Sequence, residues 1–257
     1  MDVASVLLGR YAIALMILIP LAIWTSPGLR AEWNAAGRGL FLNGLTLGVA
    51  QTYTYFRAVE SFPSSVVITV FFVYPMIMLA VDRYLFSITP RWSSIAAVGL
   101  IFTGAMLAGW PSLSIGEVEP VGILCLLATP FVYSAYVAIA YLYTRQATPF
   151  VGASAIYLGI GLGYVIVAMF HGLRLPVAAQ AWQSLLAIAI VGGVIPVVSF
   201  AYALPRLSGA RYSIIVSLEL VTVVTIGVLL LGEKLSAIQF AGIALVLAAV
   251  GLYSVLS

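Results

Sequence analysis

Apolar residues follow one another along this chain in long blocks, separated by short stretches that carry Pro, Gly, Asn or a charged residue. An α-helix needs about 20 mostly apolar residues to cross the hydrocarbon of a bilayer. Nine blocks reach that length: A 3–24, B 39–58, C 63–82, D 92–110, E 119–145, F 149–170, G 181–205, H 209–231 and I 236–256. Their apolar residues are continuous and do not alternate with polar ones, which argues against the period-two pattern of a membrane β-barrel. The pattern predicts an all-α, polytopic membrane helix bundle of nine transmembrane helices, joined by loops too short to hold a second domain.

Composition removes the soluble alternative. Of 257 residues, 63% are hydrophobic and 7% charged, against about 25% charged in soluble domains. A chain so poor in charge needs lipid as a solvent for its outer surface. The net charge of +3 comes from basic residues scattered singly between apolar blocks, so no patch follows a phosphate backbone and nucleic acid is not an expected partner. Cys125 is the single cysteine; it can form no internal disulfide and supplies no metal-ligand spacing. The first apolar block has no basic stretch before it and is too long for a signal core, so it reads as a retained helix.

Basic residues set the orientation. Loops A/B, C/D, E/F and G/H carry Arg30, Arg38, Arg83, Arg91, Arg145, Arg206 and Arg211, while the opposite loops carry Arg57, Arg174 and Lys234. The richer set belongs inside, which puts the N-terminus outside, the C-terminus in the cytoplasm, and the acidic Glu117 and Glu119 outside.

A shift of 145 to 146 residues lays A on F, B on G, C on H and D on I; Tyr11 then meets Tyr157, Ala58 meets Ala203, Leu85 meets Leu230 and Ala96 meets Gly242. Helix E has no counterpart within the chain. The arrangement reads as two repeats, 1–110 and 119–257, in a five-plus-five plan whose first helix is absent. An odd-numbered repeat inserts upside down in its second copy, the inverted arrangement used by many secondary transporters.

Several stretches carry a family resemblance: Leu8-Gly9-Arg10-Tyr11, Arg57-Ala58-Val59 leading to Tyr74-Pro75, Ser217-Leu218-Glu219 in mid-helix, and Leu231-Gly232-Glu233-Lys234-Leu235-Ser236 before a final helix rich in Gly and Ala. Together they resemble the EamA-type drug/metabolite transporters. The resemblance implies ten helices, both termini cytoplasmic, and a central cavity shared by the two halves. The chain departs from that pattern in the absent first helix, in Leu220 where the family has proline, and in Phe86-Ser87 where the second repeat has Gly232-Glu233.

Glu219 stands near the middle of H, where an ionised carboxylate in hydrocarbon is expensive. It needs a cavity or a partner, and a carboxyl able to exchange a proton near neutral pH there is a coupling or substrate-binding group. The alternative is a protonated Glu bonded to a neighbouring helix. Tyr74 is its repeat equivalent. Arg10, about 10 Å inside A at 1.5 Å per residue, either snorkels to the interface or binds anionic groups. One face of B holds Asn43, Thr46, Ala50, Tyr53, Thr54 and Arg57, and one face of E holds Thr129, Tyr133, Tyr136, Ala140 and Tyr143. Each is either a cavity wall or a helix contact; Asn43, Tyr53, Tyr133 and Tyr136 are the cavity candidates, and Tyr143 an interfacial anchor.

Pro75, Pro130 and Pro196 predict kinks in C, E and G, as gates or as static bends. Gly44 with Gly48, Gly159 with Gly163, and Ala244 with Ala248 predict close helix packing. Ser236 reads as the N-cap of I. His171 reads as a solvated loop residue without a catalytic partner, and no metal ligand set, nucleophile with its base, or cofactor site can be assembled. The chain is therefore expected to be no enzyme but a carrier of small organic metabolites such as amino acids or amines, working by alternating access as a proton-coupled exporter in a prokaryotic inner membrane. Its partners are a small-molecule substrate and the lipid bilayer, with homodimerisation left open. The rival is a non-transporting scaffold or degenerate paralogue.

Overall fold

The computed structural model describes residues 3–109, 119–171, 179–231 and 236–256. The readings made for Glu117, Arg174, Glu233 and Lys234 fall outside these residues, as does that for the side chain of His171. Among the described residues the regular structure is helical: α1 Val3–Thr25, α2 Leu29–Glu32, α3 Arg38–Asn43, α4 Val49–Ser61, α5 Ser64–Phe71, α6 Tyr74–Tyr84, α7 Trp92–Gly109, α8 Pro120–Thr144, α9 Pro149–His171, α10 Ala179–Ala189, α11 Ile195–Ala203, α12 Gly209–Val216, α13 Leu218–Leu231 and α14 Ala237–Leu256. Wider π-helical turns join some of these, at Trp33–Gly37, Gly44–Gly48 and Ile190–Val194.

Eight helical runs among the described residues are long and apolar enough to cross a membrane. They answer to A and to C through I. Segment B is helical but is not among the eight, because Asn43, Gln51, Arg57 and Glu60 interrupt its apolar character. It also starts earlier than expected, since the helical run opens at Leu29, directly after Pro27-Gly28, and continues to Ser61. Charges at Arg30, Glu32 and Arg38 read as loop in the sequence; here they decorate the first turns of a helix.

The chain forms two compact units, 1–52 with 135–206 and 53–134 with 207–257. In the first, α1 packs on α9. Tyr11 stacks against Tyr164 at 5.9 Å and meets Tyr157 edge-on at 4.9 Å, while Ser26 reaches Thr148 at 2.7 Å. Early residues of α1 therefore meet late residues of α9, so the two helices are antiparallel. The π turn Gly44–Gly48 packs on α9 through glycines: a Cβ on Gly44 would strike the carbonyl of Ile156, and one on Gly159 the carbonyl of Phe41. These are the small-residue pairs of B and F, and their job is close backbone approach.

In the second unit, α7 and α14 lie together, with Gly104 and Gly242 each so close to the other's carbonyl that a Cβ would not fit. On α7 the contact uses Gly104 and Ala108, a small-xxx-small pair that the sequence reading did not single out. Gly104 also lies against Val246, and Gly242 against Ala108, so this pair is antiparallel too. Around it Val98, Ile101, Ala105, Ile214 and Val246 form a buried core. Asp82 at the end of α6 meets Gly209 and Ala210 at the start of α12, while Tyr74 at the start of α6 meets Ser213 further along α12. Hence A runs against F, C against H and D against I, each helix beside its equivalent in the other repeat.

Candidate functional site

Continuity of the apolar blocks conceals an interruption in C and another in H. α5 ends at Phe71, Phe72 and Val73 form a turn, and α6 opens at Tyr74. Pro75 supplies one cause: it has no N–H to give the carbonyl four residues back. It thus sits in the first turn of a new helical segment, and not inside a kinked one as expected. α12 ends at Val216, Ser217 lies outside the helix, and α13 opens at Leu218. There the Ser213 carbonyl accepts from both the Ser217 hydroxyl at 2.8 Å and the Ser217 N–H at 3.1 Å. Adding 145 to positions 72–74 gives 217–219. The two breaks are repeat-equivalent, and Tyr74 and Glu219 are the equivalent residues just past them. The π turns obey the same rule, since Gly44–Gly48 plus 146 is Ile190–Val194. Pro196 follows the second of these, in the first turn of α11. Pro130 does lie inside its helix, α8.

Around the two breaks the second unit gathers an aromatic cluster. Tyr74 is fully buried and donates its hydroxyl to the Ser213 carbonyl at 3.2 Å, which ties one broken helix to the other. Its ring meets Tyr133 of α8 edge-on at 5.0 Å, and Phe71 stands 4.9 Å from Tyr74 and 5.0 Å from Tyr133. Tyr133 is hydrogen-bonded to Tyr212. Glu219 is exposed in the first turn of α13, close enough for its charge to act on Tyr55, Tyr74 and Tyr133. The N–H groups and dipole at a helix start favour a negative group at that position. A carboxyl beside tyrosine faces suits a cation, through charge and through the ring quadrupoles.

Arg10 lies in the first unit. Its guanidinium donates to the Gly192 carbonyl in the π turn Ile190–Val194 and bonds the Tyr157 hydroxyl, which itself donates to Gly193 at 3.1 Å. A π turn leaves carbonyls free for such side-chain donors, so Arg10 reaches protein groups and does not snorkel away from them. Its Nε is buried without a hydrogen-bond partner.

The expected polar face of B divides between environments. Asn43 is buried and donates to the Tyr136 carbonyl at 3.0 Å, the behaviour of a helix contact, while Thr46 and Tyr53 are exposed. Tyr136 is buried and stacks on Phe200 at 5.6 Å between centroids. On E, Thr129 is likewise spent within its helix, bonded to the Cys125 carbonyl at 2.7 Å. Of the sequence candidates, then, Glu219, Tyr74 and Tyr133 come together in one unit, Arg10, Asn43 and Tyr136 lie in the other, and Tyr53 is exposed.

Sequence reasoning missed Tyr55, Phe71 and Tyr212, although Tyr212 precedes Glu219 by seven residues and so shares its side of a helix. It also missed Asp82. That side chain is 1% exposed and accepts from the N–H groups of Gly209 at 3.1 Å and Ala210 at 2.9 Å, capping α12. Glu32 does the same before α9, accepting from Thr148 N–H at 2.7 Å. Near the C-terminal end of B, Arg57 forms ion pairs with Glu60 at 2.9 Å and Glu119 at 2.8 Å.

The family profile described as the EamA-like transporter family matches residues 1–110 and 120–255. No curated protein matches the chain. A solved structure titled only as the crystal structure of a protein superimposes with a TM-score of 0.79 at 15% identity, covering 100% of this chain and 90% of the other, which is a likeness of fold.

Proposed function

The chain belongs to the EamA-like transporter family, and we propose that it exports small organic amines or amino acids across a cytoplasmic membrane by alternating access, exchanging them for protons at Glu219. The observation that supports this reading most is the pair of breaks at 72–73 and 217. Each break is a short turn that keeps nearly helical backbone angles, and interruptions at corresponding positions of two repeats are a pointer to a transporter's binding site. Glu219 and Tyr74 follow those breaks.

In this reading the Glu219 carboxylate holds the substrate ammonium, with Tyr55 and Tyr133 offering ring faces, and protonation of the carboxyl releases it. Repeats 1–110 and 119–257 supply equivalent, oppositely directed helices to the structure that alternates access, with the N-terminus outside. The antiparallel pairing of A with F, C with H and D with I supports an inverted relation between them. The test is uptake of radiolabelled amino acids and monoamines into vesicles reconstituted with the full chain, with the lumen acid relative to the bath. Accumulation above protein-free vesicles is expected. Absence of gradient-driven movement for every member of the panel would favour a non-transporting scaffold.

A further inference from the structure

The geometry points to a second binding site, for an anionic phospholipid, in the first unit: an acyl chain lies in an apolar groove between α1 and α9, and the phosphate headgroup meets Arg30. The groove encloses about 380 Å³, within the range of roughly 300–1,000 Å³ typical of small-molecule sites. Ile19 and Ile23 of α1 form one wall, Val151 and Leu158 of α9 the other. Ile19 and Ile23 are 38% and 61% exposed on a helix apolar enough to cross a membrane, so the groove opens towards lipid tails.

Two further observations give the site a polar end. Ser154 lines the groove, is 5% exposed, and its hydroxyl has no hydrogen-bond partner. It stands five residues into α9, roughly 8 Å below the helix start at 1.5 Å per residue, a depth at which a lipid's ester carbonyl can accept its proton. Arg30 and Trp33 line the same groove. Arg30 is exposed and takes part in no ion pair among the described residues. The nearby carboxylate of Glu32 is directed elsewhere, to the Thr148 N–H at 2.7 Å and the Ser26 hydroxyl at 2.9 Å. Tryptophan favours the headgroup level of a bilayer, and basic pockets between membrane helices hold anionic headgroups. A free phosphate would leave the apolar walls empty, and a zwitterionic lipid would bring its own headgroup cation to compete with Arg30 for the phosphate.

Native mass spectrometry of the full chain, taken from vesicles of equal phosphatidylglycerol and phosphatidylcholine, tests this. The wild type is expected to retain one phosphatidylglycerol about fivefold in preference to phosphatidylcholine, the advantage of about one basic residue at an anionic surface. Arg30→Gln, a surface substitution of a kind that leaves folding intact, should still retain lipid but without preference. Ala22→Phe, which fills the groove floor, should retain neither. Equal retention of both lipids by the wild type, or an unchanged preference in Arg30→Gln, would overturn the assignment. Displacement of phosphatidylglycerol by millimolar inorganic phosphate would overturn it too, by showing a site for a free anion.

Discussion

Asp82 accepts two backbone N–H groups at the start of α12, 127 and 128 residues further along the chain. Hydrogen bonds to a charged group are worth about 1.5–3 kcal/mol each, and buried donors left unpaired carry a further penalty. Asp82→Ala is therefore expected to lower stability by at least about 2 kcal/mol, read as a fall in the thermal midpoint of the detergent-solubilised protein, with Asp82→Asn losing less because one acceptor oxygen remains. An unchanged midpoint in Asp82→Ala would remove the cap from the account. Ser87 makes the opposite prediction. It has φ 55°, a left-handed conformation that favours glycine. Ser87→Gly should raise the midpoint by the equivalent of about 1 kcal/mol. At this scale a lone carboxylate in an apolar helix made Glu219 legible, because hydrocarbon makes any charge conspicuous. Asp82 was not legible: it ends a segment beside Arg83 and looks like an ordinary interfacial acid until its distant partners are known. The depth of Arg10 left snorkelling and anion binding open, and its actual acceptors, the Gly192 carbonyl in a π turn and the Tyr157 hydroxyl, could not be read from the sequence.

Between the helices, contact rests on places where a side chain would not fit. A side chain at Gly159 would enter the space of the Phe41 carbonyl and the Leu45 N–H, backbone that cannot swing aside, whereas a Cβ at Gly99 would meet nothing within 4 Å. Gly159→Leu should cost about 1–3 kcal/mol or more through overpacking, and Gly99→Ala should fall within about 0.5 kcal/mol of the parent. Denaturation of the two variants side by side checks this; similar losses in both would mean that the backbone approach is not what matters. Apolar block length located the membrane-crossing helices within a few residues, since hydrophobic thickness imposes that length. It could not show that C and H are broken or that B and G contain π turns. The break in C follows from the missing N–H of Pro75, and neither Pro75 nor Ser217 interrupts the apolar run.

For the molecule as a whole, the distribution of arginines sets the expected sidedness, and the antiparallel pairing of α1 with α9 offers a convenient pair of reporters. Gly28 follows α1, and Phe170 near the end of α9 is 83% exposed. With Cys125 replaced by serine, a cysteine at Gly28 should react with a membrane-impermeant maleimide only after the membrane is opened, and one at Phe170 in intact cells. Labelling of both from the same side would contradict the topology. The repeat was legible as a hydropathy shift with few identities, and its physical trace is plainer in the structure, where breaks recur at an offset of 145 and π turns at 146. The central claim is proton exchange at Glu219, and the most direct measurement compares wild type with Glu219→Gln in vesicles under both directions of the pH gradient. The account predicts that an acid lumen drives substrate into wild-type vesicles and an alkaline lumen drives it out. In Glu219→Gln, at an unchanged thermal midpoint, neither gradient should move substrate uphill. Accumulation that still follows the gradient in the Gln variant would contradict it.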